Sequence, residues 1–414
     1  MLALWRGIAT LLGPVLALRV AARRRAEGVA AARLGEFRGI ASRVRPEGTL
    51  IWLHAASVGE SLSLLPLIAA LQAARPGVTC LVTTITATSA QMMAARLPDG
   101  AFHLFAPLDA PRYVRRFLRH WRPDLLVVVE SELWPNLLHA TDRAGIPRAL
   151  VNARLSQRSL RRWSRMPCTA RRLLAPFAIV SAQDGETARG LAGLGARDVQ
   201  TAPDLKAAAL PPPADADTLA GLRALIGPRP VWAAISTHDG EEPAILAAHD
   251  ALRRTLRDAL LILCPRHPAR ADTIAALAPM TRRSRGEGPE GAVWLVDTLG
   301  ETGLWYRLAP VCFIGGSLGS VGGHNPWEGA QLGVALLHGP DVRNAAAAWA
   351  ALDAAGGAVE VSRDALAATV AGLLGDAQRL RTMQTAARAA ADRNAHSVAA
   401  LAEALLALLP ETAP

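Results

Sequence analysis

From about residue 49 the chain alternates short apolar runs with longer stretches of helical character. Leu50–Leu53, Thr79–Thr83, Leu125–Val129, Ala149–Val151 and Ile179–Ser181 read as strands, each followed by a helix-like segment. Runs this uniformly apolar belong to strands buried on both faces, so the pattern predicts parallel β-α-β units with helices on either side of the sheet. Leu210-Pro211-Pro212-Pro213 can continue neither a helix nor a ladder and marks a linker. The alternation then restarts, with strands expected at Val231–Ile235, Leu260–Cys264, Val293–Val296, Pro310–Ile314, Val334–Leu337 and Ala358–Val361. From Asp376 to Leu409 an Ala-rich tail favours one or two closing helices. The expectation is an α/β chain of two Rossmann-like parallel-sheet domains. Its segments are an N-terminal helical segment 1–40, a first domain 41–209, a second domain 210–375 and closing helices 376–414. Open α/β sheets bind ligands beyond the carboxyl ends of their strands, which places an active cleft between the domains.

The N-terminus follows a different rule. Leu2 to Leu18 is apolar except for Arg6, and Arg19, Arg23, Arg24 and Arg25 follow at once. A cleaved export signal carries its charges first, so this order argues for a retained segment. The uncharged stretch Gly7–Leu18 makes about 18 Å of helix, short of the ~30 Å hydrocarbon core. Counted from Leu2 with Arg6 snorkelling it barely spans; otherwise it lies in the interface with its arginines on anionic headgroups. Either arrangement leaves the body of the protein on the cytoplasmic side. An ordinary amphipathic first helix is the third possibility.

Composition narrows the class. The 414 residues are 51% apolar, enough for two cores. Cys80, Cys168, Cys264 and Cys312 show no paired spacing, which suits free thiols in a reducing compartment and offers no zinc site. The net charge of +10 is concentrated in the first half, where residues 110–172 hold fourteen arginines against four acids. An acidic surface or substrate docks there. Nucleic acid is the rival partner, but aromatics are only 4% of the chain and do not interleave with the arginines as stacking platforms require. Lys206 is the only lysine among 45 basic residues, which marks it for attention, although a surface survivor explains it equally well.

Five polar motifs follow strands. In Phe313–Glu328, Gly315, Gly316, Gly322 and Gly323 let backbone N–H groups approach an anion, and Asn325-Pro326 opens a helix with Glu328 three residues after the cap. A capping box explains Asn325 and Glu328 without a ligand; it does not call for four glycines. The spacing is neither a Walker A loop nor G-x-G-x-x-G. In Trp52–Glu60, Ser57 and Glu60 form another S-x-x-E pair, readable as a cap or as a carboxylate raised to act as general base. In Cys264–Arg270, His267 follows a strand directly and Arg266 with Arg270 offers fork-shaped donors for a phosphate, a solvated loop being the alternative. Glu130–Asn136 and Asn152–Ser159 complete the set. Asp215 and Asp217 sit in the linker and read as helix capping, and His324 lacks companions at metal-ligand spacing, so no metal is expected.

WLHAASVGE, ESELWPN, VNARLSQRS, STHDGEE, CPRHPAR, VDTLGE and GGSLGSVGGHNPWE, taken in order, resemble the Kdo (3-deoxy-D-manno-octulosonic acid) transferase family of lipopolysaccharide assembly. That resemblance implies the two-domain GT-B fold and inverting transfer of Kdo from CMP-Kdo to a lipid A precursor of the lipid IVA type. It makes Glu60 the general base, with Ser57 and Gly59 shaping its loop. It assigns donor binding to Lys206, Arg266, Gly315, Gly316, Ser317, Gly322, Gly323, Asn325 and Glu328. It assigns acceptor binding to Glu130, Glu132, Trp134, Asn152, Arg154 and Arg158 beside Ser57 and Gly59. The implied partners are CMP-Kdo, the lipid precursor and the anionic inner-membrane surface, met from the cytoplasmic face; neither a cofactor nor nucleic acid is implied. Ala202-Pro203-Asp204-Leu205-Lys206 departs from the family's Gly-Asn-Leu-Lys, and Trp327 and Gly329 replace a Leu and a Pro. A nicotinamide oxidoreductase, a sugar-nucleotide epimerase on the same fold and a noncatalytic anionic-lipid scaffold are the rival readings.

Overall fold

Fourteen strands build two sheets, and every described pairing within them is parallel. The structure is a computed structural model that describes residues 2–202, 205 and 211–409. Two compact units divide the chain: residues 1–206 with 396–414, and residues 207–395. In the first unit the strands are β1 Leu50–His54, β2 Thr79–Thr84, β3 Ala101–Phe105, β4 Leu125–Val129, β5 Arg148–Ala153, β6 Ile179–Ala182 and β7 Val199–Thr201. Their order is β3-β2-β1-β4-β5-β6-β7, so the chain winds outward from β1 in one direction and from β4 in the other. β1 and β4 are buried throughout, as their unbroken apolar runs require.

The second unit repeats the plan with β8 Val231–Thr237, β9 Leu260–Pro265, β10 Thr281–Arg282, β11 Val293–Leu295, β12 Val311–Ile314, β13 Ala335–His338 and β14 Ala358–Glu360. Its order is β10-β11-β9-β8-β12-β13-β14. Alternate residues of these strands feed cores on opposite faces: Ala233, Ile235 and Cys312 on one, Trp232, Ala234 and Phe313 on the other. That two-sided burial is what a Rossmann-like domain needs.

Three strands lie outside the sequence expectation. β3 carries a histidine in a five-residue run, β7 is three residues long and mostly exposed, and β10 is the two-residue edge pair Thr281-Arg282. The tail forms a single helix, Ala377–Leu406, and the boundary between the units falls within it at residues 395 and 396. Pro211-Pro212-Pro213 leads into helix Ala216–Ile226, where Asp215 accepts the Thr218 amide at 2.8 Å as a cap. Cys80, Cys264 and Cys312 are buried strand thiols, Cys168 is exposed, and all four are free.

The first helix, Leu2–Ala26, is long and apolar enough to cross a membrane. Within its own unit it packs Gly13 and Ala17 against Ala110 and Tyr113, where a Cβ on Gly13 would lie 3.2 Å from that of Ala110. Trp5 donates its indole N–H to Asp109 at 3.2 Å. Leu4, Ile8, Leu11, Leu12, Val15, Leu16 and Leu18 face outward.

Candidate active site

In the first unit the candidate residues gather at the carboxyl ends of β1, β4 and β5. Ser57 caps helix Val58–Ala74 by accepting the Glu60 amide. Glu60 answers twice, taking the Ala56 N–H at 2.7 Å and the Ser57 hydroxyl at 2.8 Å. An ionised carboxylate has about four acceptor positions, so two donors fix its orientation and leave room for a third. Glu60 is half-buried, and Gly59 beside it is exposed. A Cβ on Gly59 would meet nothing within 4 Å, although glycine in a helix costs about 1 kcal/mol against alanine. Packing does not require that glycine.

Glu132 is the most perturbed acid of this group. Burial pushes its carboxyl up to about 7, against the hydrogen bond from the Trp134 indole at 2.6 Å, with the charges of Glu60 and Glu130 adding to the rise. Three predicted residues, Glu60, Glu130 and Glu132, are therefore electrostatic neighbours. Trp134 also sets its ring edge-on to His54, 4.6 Å between centroids. Burial holds His54 near 4, and its Nδ1 pairs with Thr83 at 3.0 Å. Asn152 is buried and its side-chain oxygen accepts the Leu205 amide N–H at 3.2 Å, which fixes the residue just before Lys206; Lys206 itself lies outside the described residues. Arg154 and Arg158 are exposed.

Backbone geometry singles out the same strand exits. Among the described residues five that are not glycine have positive φ, and three of them, Glu130 (55°), Asn152 (53°) and Ser236 (60°), stand at the ends of β4, β5 and β8. The ladders of β5 and β8 shift register at the same points. A side chain in this conformation costs of order 1–3 kcal/mol and persists only where its surroundings hold it.

In the second unit the glycine loop is held from within. Glu241, almost fully buried, accepts N–H groups from His238 (2.9 Å), Gly316 (2.7 Å), Ser317 (3.0 Å) and Leu318 (2.9 Å). The anion on these amides is the protein's own carboxylate. The Gly315 amide goes to Ile235 and that of Gly323 to Gly316. Ser317 is fully buried, donating to the Ile314 carbonyl and accepting from the Gly339 amide. Gly315 has a packing reason to be glycine, since a Cβ there would lie 2.5 Å from the Ser236 carbonyl oxygen. Gly322 has a conformational one, with φ of 101° and Asn344 2.7 Å from any Cβ.

The expected helix after Asn325-Pro326 is only Trp327–Gln331, with Pro326 at the cap position. The Asn325 side chain still accepts the Trp327 amide at 3.4 Å. Glu328 lies in the first turn, an electrostatic neighbour of the buried Tyr306. Gly329 fits closely against Leu336 and Tyr306.

Beside the loop stands a histidine cluster. His238 and His324 stack with Nε2 atoms 2.7 Å apart, and His267 meets His238 edge-on at 5.6 Å. Burial, then the charges of His238, Arg266 and His267, pushes His324 down to about 4. Arg266 is exposed, and its guanidinium bonds to no side chain among the described residues, whereas Arg270 is committed to Glu242 and Asp239. Among the described residues no group of three or more His, Cys, Asp or Glu is arranged to hold a metal ion. Sequence reasoning missed Glu241, which lies 75 to 77 residues from the three loop amides it holds, and the pairing of His238 with His324 across 86 residues. Only tertiary structure carries those signals. Asp297 and Glu301 of the VDTLGE motif turn inward, binding Arg282, Ser284 and Arg283.

Residues 30–209 match the family model described as 3-deoxy-D-manno-octulosonic-acid transferase (kdotransferase). The chain is 35% identical over 360 residues to the 3-deoxy-D-manno-octulosonic acid transferase of Haemophilus influenzae, covering 82% of each chain. It belongs to the Kdo transferase family. The Bordetella pertussis transferase agrees, at 34% identity over 411 residues, 93% of this chain and 95% of that one. A glycosyltransferase structure from Rickettsia africae shares the fold, with a TM-score of 0.58 at 10% identity over 87% of this chain and 99% of that one. The two parallel sheets are those of a GT-B glycosyltransferase, and transfer of Kdo is the activity that the family assigns.

Proposed function

We propose that this Kdo transferase takes the sugar from CMP-Kdo and delivers it, with inversion, to a hydroxyl of a lipid A precursor of the lipid IVA type, with Glu60 as general base. The observation that carries this reading is the fixing of the Glu60 carboxylate by Ala56 and Ser57 at a strand exit, beside Glu130 and Glu132. Capping and catalysis do not compete here. The two capping donors orient the carboxylate, and a remaining lone pair takes the acceptor proton. As that proton moves to Glu60, the acceptor oxygen bonds to the anomeric carbon. The bond from that carbon to the phosphate oxygen breaks, and CMP leaves with the electron pair. One displacement needs no second nucleophilic carboxylate.

For the donor, the exposed Arg266 is assigned the growing phosphate charge, with His238, His267 and His324 close by. Gly322 and Gly323, buried and at positive φ, turn the loop backbone, Asn325 and Glu328 meet the nucleotide, and Lys206 adds a further cation. This reading assigns charge neutralisation to side chains and names no metal. On the acceptor side, Glu130, Glu132 and Trp134 border the attacking hydroxyl, and Arg154 and Arg158 face its phosphates. The exposed apolar face of the first helix docks the enzyme on the anionic cytoplasmic leaflet.

Incubating the purified chain with CMP-Kdo and a tetraacylated precursor, followed by mass spectrometry of the lipid, tests the reading. A lipid heavier by whole Kdo units is the expected product. Conversion of the donor without acceptor would favour an epimerase, and absence of any product would refute transfer.

A further inference from the structure

The helix Gln157–Ser164 has a concavity on either side, both built from the first unit alone. One is a cavity of about 620 Å³ whose walls include Leu2, Trp5, Leu133, Trp134, Trp163 and Met166. This is within the about 300–1,000 Å³ typical of small-molecule sites. The indole N–H groups of Trp5 and Trp134 are spent on Asp109 and Glu132. What those two offer a ligand is ring surface. The other concavity, about 740 Å³, is lined by Gln157, Arg158, Arg161, Arg162 and Arg165. No carboxylate pairs with these four arginines among the described residues, and the chain keeps them exposed in one patch. Arg162 lines both spaces.

A largely apolar cavity, whose wall carboxylates Asp109 and Glu132 are held by the two indoles, shares a wall with an unpaired guanidinium basin, and together they have the polarity of a phosphorylated amphiphile. We propose that the two form one composite site for a single acylated, phosphorylated glycolipid: an acyl chain enters the tryptophan-walled cavity and a headgroup phosphate rests in the arginine basin, with Arg162 at the junction. The proposal rests on the reading that the acceptor is a lipid, and it adds a consequence. Leu2 and Trp5 are wall residues of that site, so the first helix contributes to acceptor recognition as well as to docking. Arginine suits the basin because its planar fork takes phosphate oxygens two at a time. Bulk anionic phospholipid is the competing occupant.

Equilibrium binding in detergent micelles tests the site without needing transfer. The ligands are a bisphosphorylated tetraacyl disaccharide, its deacylated form and its dephosphorylated form. The proteins are the full chain, Met166→Trp and Thr169→Trp, which fill the cavity from two positions on its wall, and the double variant Arg161→Gln/Arg165→Gln. Thermal melts confirm that each variant is folded. The cavity variants are expected to lose about tenfold in affinity for the acylated ligand and none for the deacylated one. The arginine variant is expected to lose about tenfold for the phosphorylated ligand and none for the dephosphorylated one. Equal losses on all ligands, no loss on any, or equal competition by phosphatidylglycerol micelles would overturn the proposal. Failure of the transferase reading would show separately, as absence of product from a wild-type chain that still binds the lipid with this selectivity.

Discussion

Glu132 links burial to charge most directly. Its carboxyl is raised to about 7 from an ordinary value of 4.5, with desolvation first among the causes. A raised acid contributes stability that is fully present below its unfolded pKa and is lost as pH rises through the folded one. Wild type is therefore expected to lose stability between about pH 4.5 and pH 7 relative to Glu132→Gln, which stays neutral and still offers an oxygen to the Trp134 indole. Thermal melts at pH 5 and pH 8 check this: Glu132→Gln should gain a few degrees on wild type at the higher pH. An equal offset at both values would show that Glu132 ionises without penalty. Glu60 and Ser57 were legible as a pair because S-x-x-E spacing is local. The positive φ of Glu130 and Asn152 was not, since neither residue type demands it and the surrounding strands impose it.

At the scale of elements, the glycine loop is organised by Glu241, whose side chain accepts four backbone N–H groups. Replacing it with alanine strands those donors, each at about 1–3 kcal/mol where water does not reach. Glu241→Ala is expected to unfold at lower denaturant concentration and to bind CMP at least tenfold more weakly, measured by urea titration and calorimetry. Retained stability would mean that the loop holds its shape by its glycines alone. The central strands were readable because parallel strands buried on both faces must be continuous apolar runs; β7 and β10 were not, because short edge strands need no such run. The Phe313–Glu328 stretch was recognisable as a loop built for close backbone approach. Its internal carboxylate could not be seen, because the partner comes from the adjacent β8 exit rather than from neighbouring sequence.

Across the whole molecule, the net positive charge and most of the exposed large apolar side chains fall in the first unit. Leu11, Leu12 and Leu18 are 79%, 53% and 69% exposed on the first helix, away from its packed Gly13 and Ala17. Each leucine moved from water into lipid is worth roughly 1.5–3 kcal/mol, so Leu11→Asp/Leu12→Asp/Leu18→Asp is expected to cut vesicle partitioning at least 100-fold without changing the melting temperature. Cosedimentation with anionic vesicles measures it, and undiminished binding would assign membrane contact elsewhere. The central claim, that a carboxylate oriented by its own helix cap removes the acceptor proton, is tested most directly by single-turnover transfer with Glu60→Gln. Glutamine keeps the shape: its oxygen can take the Ala56 amide while its NH₂ faces the Ser57 hydroxyl, which then accepts. The account predicts a rate lower by about 10²–10⁴-fold, with CMP affinity and melting temperature kept. A transfer rate within about threefold of wild type would contradict it, because the base would then be some other group.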